Sequence, residues 1–206
     1  MTLINESDGK RLFGHNSAGY DAIRPPYPGW IFSLLKEQNA LYSGARTLEI
    51  GAGNGLASRE LIKAGVSPLT LLEPDERFAP LLGALAENTP NNVEIRYESF
   101  EEASFETPFD LVVIATAFHW LAPETRVKKL AQIVKPKGYV ALLWNVFADP
   151  SRPDPFHEAT YSLLSSLEIS PSDRPAQKPF ALDKEAREQE FLQDGDFELT
   201  FRPPSE

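Results

Sequence analysis

Two carboxylates and three glycines are the residues whose types and spacing point most directly to chemistry. Glu49-Ile50-Gly51-Ala52-Gly53-Asn54-Gly55 places glycine at three alternate positions, so the backbone can turn tightly and lie bare against a ligand. Counted from Gly51, the third glycine of the dinucleotide fingerprint G-x-G-x-x-G falls on Leu56, and the phosphate loop G-x-x-x-x-G-K-[ST] fails at the same residue. Glu49 at the loop entrance would repel a pyrophosphate; it suits a ligand carrying positive charge, an ammonium or a sulfonium. Glu73 follows Gly51 by about 20 residues, the separation at which an acidic residue accepts hydrogen bonds from ribose hydroxyls in nucleotide-binding α/β folds. A surface glutamate at a strand end is the alternative for Glu73.

Other catalytic constellations are missing. The chain has no cysteine, which excludes disulfides, thiolate nucleophiles and Cys-zinc sites. Its three histidines, at positions 15, 119 and 157, lack the H-E-x-x-H spacing, and no metal site is expected. His119 follows an apolar run, on the side where a substrate would sit. It can deprotonate or orient an acceptor, or simply pack under the loop, with Trp120 as a pocket wall or core residue.

The elements that must position these groups alternate along the chain. Apolar spacing predicts a helix over 30–41, then a strand at 47–50 running into the glycine loop. A helix at 56–64, stopped by Gly65, leads to a strand at 69–72 ending at Glu73-Pro74. A helix at 76–87, a strand at 93–97, a strand at 109–115, a helix at 124–134 and a strand at 139–144 follow. The Leu111-Val112-Val113-Ile114 run reads as a strand buried on both faces. Such alternation implies an α/β fold: a mostly parallel, Rossmann-like sheet between two helical layers. Ligands then bind outside the carboxyl ends of the strands, at the switch point near the first strand.

Four segments together resemble the class I S-adenosylmethionine-dependent methyltransferases. Leu48 through Gly55 looks like their motif I and Leu72-Glu73-Pro74-Asp75 like motif II. Phe109 through Trp120 is similar to the fourth-strand motif, and Val134-Lys135-Pro136-Lys137-Gly138-Tyr139 to the loop before the fifth strand. Their order and spacing match across residues 46–147. Tyr20, the Arg24-Pro25-Pro26-Tyr27-Pro28 run and His119-Trp120 resemble a small-molecule branch that includes the trans-aconitate type.

The resemblance implies S-adenosyl-L-methionine as methyl donor and a small-molecule acceptor, with direct in-line displacement needing only alignment of the reactants. It implies that Gly51, Ala52 and Gly53 cradle the methionine part, with Glu49 nearby, and that Glu73 and Pro74 meet the ribose. Ser99 and Phe100 would flank the adenine, although Glu98-Ser99-Phe100 departs from the commoner Asp-Ala pattern. Thr116 would join the cofactor site. Tyr20 and Arg24 match an N-terminal lid near the cofactor carboxylate, where an Arg can grip bidentately; a surface turn is the alternative for Arg24. A catalytically silent cofactor-binding module remains open, and a nicotinamide oxidoreductase is disfavoured by Leu56.

A chain of 206 residues with a net charge of −10 fits one domain and argues against a nucleic-acid partner. Lys128-Lys129 and Lys135-Pro136-Lys137 read as the end of a helix and the turn after it, the lysines complementing the helix dipole. No signal core or apolar span is seen, so no membrane partner is expected and the cytoplasm is the simplest address. The expected layout is a lid and helix at 1–45, a cofactor-binding core at 46–147 and a substrate-side segment at 148–206. In that last segment, residues 151–206 hold twelve Asp or Glu against six Lys or Arg. A helix is expected at 156–167, a loop at 170–179 and a sixth strand at 197–201. Nothing remains for a seventh strand, so the C-terminal hairpin is expected to be incomplete, and an open sheet edge invites self-association.

Overall fold

The structure is a computed structural model and describes residues 25–146 and 180–200, with Pro155 and Ala159. Tyr20, Arg24 and the expected loop at 170–179 lie outside the described residues, as does the expected helix at 156–167 apart from Ala159, which is helical. The chain divides into two compact units, Met1–Leu143 and Trp144–Glu206.

The first unit is a five-stranded parallel sheet flanked by helices. Helix α1 (Gly29–Glu37) precedes β1 (Thr47–Ile50), α2 (Leu56–Lys63), β2 (Leu69–Leu72), α3 (Ala79–Glu87), β3 (Val93–Arg96), β4 (Phe109–Ala115), α4 (Arg126–Ile133) and β5 (Val134–Leu143). The strands lie in the order β3-β2-β1-β4-β5, and all four pairings are parallel. The chain therefore winds outward from β1 one way and then crosses back to β4, which opens a crevice at the carboxyl end of β1. Register brings the functional residues level: Ile50 pairs with Leu72 on one side and Ile114 on the other. The glycine loop, Glu73 and Thr116 thus leave the sheet side by side.

Burial follows from the apolar runs. Every residue of β1 and β2 is buried, as are Leu111, Val112, Val113 and Ile114 of β4. One face packs Leu69, Leu71, Leu111 and Val113 against Phe32 of α1, Ala57 and Leu61 of α2 and Leu82 of α3. Alternation sends Leu48, Ile50, Val112 and Ile114, equally buried, to the opposite face. Helix α4 leads straight into β5 and buries Val127, Leu130 and Ile133.

Several boundaries differ from the sequence expectation. The helix expected at 76–87 splits into a 3-10 turn (Glu76–Phe78) and α3, because Pro80 stands in the first turn of α3 and has no N–H to extend a helix backwards. The lysines at 128 and 129 sit in the first half of α4, whose last turn holds no basic residue, so they do not complement the dipole there. Val134 opens β5 directly. The expected turn at 135–137 lies within a bulge of this strand, since Val134 pairs with Phe109 and Tyr139 with Leu111.

In the second unit, Asp183 caps α5 (Lys184–Leu192) by accepting the Ala186 N–H at 3.3 Å. The sixth strand expected at 197–201 does not form over its described part, 197–200. Alternation supplies a pattern but no backbone partner; the Phe197 ring instead packs edge-on against Phe191, centroids 5.2 Å apart. Among the described residues no strand pairs with the outer edge of β5. No helix among them is long and apolar enough to cross a membrane.

Candidate functional site

An open cleft of about 1350 Å³ lies at the carboxyl ends of β1, β2 and β4. Its floor is the 51–55 loop. Gly51, Gly53 and Gly55 all have positive φ, at 72°, 54° and 78°, but they are glycine for different reasons. A Cβ on Gly51 would come within 2.5 Å of the Ala117 Cβ, and one on Gly55 would strike the Leu85 side chain. A Cβ on Gly53 would meet nothing within 4 Å. The space above Gly53 opens into the cleft, where a ligand can lie.

Glu73 is nearly buried beside it, 7% exposed. One carboxylate oxygen accepts the Gly53 N–H at 2.8 Å and the other the Asp75 N–H at 2.9 Å. Burial raises its pKa above the ordinary 4.5, while these amides pull it back. Each oxygen keeps a second lone pair for hydroxyl donors. Glu49 lies deeper, 1% exposed, with Ser58 Oγ donating to it at 2.6 Å. Burial pushes Glu49 up to about 8, the Ser58 bond opposes this, and the Glu73 charge adds to it. At neutral pH Glu49 is therefore mainly protonated until a cation approaches.

Thr116 follows β4 directly with φ of 58°, a costly conformation for a β-branched residue. The Thr116–Tyr27 hydroxyl pair at 2.7 Å and the Thr116 N–H donated to Leu143 O at 2.7 Å hold it there. Ala52 and Pro74 also line the cleft. Ser99 and Phe100 form part of the opposite wall, on a turn built as a capping box: Ser99 Oγ bonds the Glu102 carboxylate at 2.7 Å and accepts the Glu102 N–H at 3.3 Å. Phe100 is 3% exposed. His119 is exposed to the cleft on the 3-10 turn Phe118–Trp120, its ring tilted against Trp120 with centroids 4.6 Å apart.

The described candidates are thus gathered around one cleft. Sequence reasoning missed Tyr27 and Asn54 as lining residues, and Asn54 is buried at the loop although polar. It also missed the Asp75–Arg77 fork at the mouth, with Arg77 Nε and Nη2 at 2.7 and 2.6 Å from the Asp75 oxygens. Among the described residues no group of three His, Cys, Asp or Glu side chains could hold a metal ion.

Residues 48–142 match the model of the methyltransferase domain family. An uncharacterized methyltransferase of Schizosaccharomyces pombe is 31% identical over 137 residues, covering 66% of this chain and 53% of that protein. A ubiquinone biosynthesis O-methyltransferase of Bordetella bronchiseptica is 32% identical over 124 residues, 58% of this chain and 48% of that protein. The chain spans about half the length of these curated relatives. The N-methyltransferase NodS of Bradyrhizobium japonicum, solved with S-adenosyl-L-homocysteine, aligns with a TM-score of 0.55 at 17% identity, over 67% of this chain and 72% of that one. At that identity the likeness shows the fold: a Rossmann-like α/β sandwich.

Proposed function

We propose that this chain is an S-adenosylmethionine-dependent methyltransferase acting on a small-molecule acceptor. The observation that carries the reading is the Glu73 carboxylate, fixed by the Gly53 and Asp75 amides at the lip of a glycine loop whose middle glycine faces open space. The methyltransferase domain match over residues 48–142 supports it.

The residues fit the cofactor. Glu73 binds the ribose hydroxyls through its remaining lone pairs, with Pro74 beside it, and 51–53 presents bare backbone to the methionine part. Glu49 supplies a carboxyl that a cation converts to its charged form, with the proton released to solvent. Ser99 and Phe100 form the adenine wall. Thr116 and Tyr27 shape the end of the cleft near β4, and Tyr20 and Arg24 are the proposed lid. S-adenosylmethionine bound there supplies an activated methyl group for attack by a nucleophile. His119, exposed to the cleft, orients the acceptor or takes its proton.

The finer placement, in the small-molecule branch resembling the trans-aconitate type, rests on Arg24-Pro25-Pro26-Tyr27-Pro28 and His119-Trp120. Transfer of a labelled methyl group into a panel of carboxylic, hydroxylic and amine acceptors tests the proposal. At least one acceptor takes the label, and His119→Gln lowers turnover while leaving cofactor affinity near the parent value. Tight cofactor binding with no transfer across the panel would point instead to a silent binding module.

A further inference from the structure

Two neighbouring loops line the cleft, and one helix holds both. The turn at 99–103 closes with the Glu102 and Ala103 N–H groups donating to Ser99 O, at 3.2 and 3.0 Å. The carbonyls at the end of such a single turn have no partner within it. Lys129 Nζ takes three of them, donating to Phe100 O at 2.5 Å, Glu101 O at 3.0 Å and Ala103 O at 2.6 Å. An ammonium has three hydrogens, so the loop uses its full donor capacity. The same ammonium lies 5.0 Å from the centroid of the Phe100 ring.

Three residues earlier on α4, Arg126 is 4% exposed although charged. Its Nη1 donates to Phe118 O at 3.1 Å and Leu121 O at 3.3 Å, and its guanidinium sits 4.1 Å over the Phe118 ring. These carbonyls bracket the 3-10 turn that carries His119 and Trp120. Positions i and i+3 share one face of a helix, so both cations project toward the cleft walls. A crossbar joins the walls directly: Glu101 Oε1 accepts the Ala122 N–H at 2.8 Å.

The geometry points to Arg126 and Lys129 as positioning residues that couple the two walls. The wall bearing Ser99 and Phe100 and the turn bearing His119 move as one unit, fixed to α4 by the buried Arg126 and the half-buried Lys129 and to each other by Glu101. The assignment of one wall to the adenosine and the other to the acceptor rests on the function proposed above; the coupling itself does not. Filling one wall's site therefore sets the geometry of the other.

NMR of the His119 imidazole tests this on the whole chain. His119→Gln identifies its signal among the three histidines. Lys129→Met and Glu101→Ala each remove a link without touching residue 119. Glu101 is exposed, so Glu101→Ala keeps the fold even where Lys129→Met does not. In folded variants the His119 signal moves and its pH midpoint changes, and S-adenosyl-L-homocysteine binds roughly tenfold more weakly to Lys129→Met, because losing the charge-assisted bonds to the 99–103 carbonyls releases that wall from its position. Lys129→Arg restores part of the shift. An unchanged His119 signal and midpoint in a cooperatively melting Glu101→Ala variant would overturn the coupling. If the parent does not bind S-adenosyl-L-homocysteine but the His119 signal still responds, the coupling stands and the cofactor assignment falls.

Discussion

The two ends of the same sheet each hold a carboxylate, and they treat it in opposite ways. At the amino end, Asp110 of β4 accepts Lys135 Nζ at 2.7 Å and the Arg46 N–H at 2.9 Å, with Tyr42 as a third partner. Partial burial raises its pKa, but these partners outweigh it and hold the group below the ordinary 3.8. At the carboxyl end, Glu49 has one hydroxyl, Ser58, and a second carboxylate, Glu73, as its neighbours, and burial dominates. A carboxylate supplied with its own cation is finished as structure. One left at about 8 gains from a positive ligand, and this distinguishes the working end of the sheet from the supporting end.

Substitutions at the two ends should separate cleanly. Gly53→Val should abolish measurable cofactor binding, because its side chain would fill the open space and resist a φ of 54°. Unchanged affinity in a folded variant would remove the loop from the site. Glu73→Gln should fold and bind roughly tenfold or more weakly, having lost a charged acceptor held by two amides. Deoxyribose analogues should discriminate less in this variant than in the parent; equal discrimination places the ribose elsewhere.

Acid and base should also act oppositely at the two ends. Between the ordinary 4.5 and about 8, folded chain keeps a proton on Glu49 that unfolded chain has released. Its contribution to stability therefore falls as pH rises through that window, and Glu49→Gln should flatten the decline in melting temperature. Asp110 has the reverse sign: its contribution is full above 3.8 and is lost as acid protonates the folded form. The smallest effect is Asp110→Asn, which should cost about 1 kcal/mol by chemical denaturation, since its Lys135 partner is half exposed, and leave ligand affinity unchanged. A fall in affinity there would mean that the amino end of the sheet reaches the cleft.

What was legible in the sequence was whatever is local. Buried parallel strands show as apolar runs, and a glycine loop after the first of them marks the crevice, so β1, β2, β4 and the 51–55 loop stood out. The Ser99-x-x-Glu102 capping box is equally local, and its Ser-x-x-Glu spacing is the signal that marks this turn. Lys129 was not readable, because its three acceptors lie 26 to 29 residues earlier in the chain and neighbouring lysines on a helix look like a solvated or dipole-complementing pair. Arg126 is hidden in the same way: no periodicity distinguishes a buried arginine from an exposed one. The strand expected at 197–201 does not form over 197–200 because alternation of side chains alone cannot tell a paired strand from an unpaired extended segment.

The central claim, that the cleft holds S-adenosylmethionine through Glu73 and the glycine loop, is tested most directly by calorimetry. S-adenosyl-L-methionine, S-adenosyl-L-homocysteine and NAD are titrated into the same folded preparation. The first two should each fill one site, and NAD should give no heat. With S-adenosyl-L-methionine, the heat at neutral pH should also depend on buffer ionisation as Glu49 gives up its proton. No binding of either sulfur ligand to folded chain, or binding of NAD in their place, would contradict it.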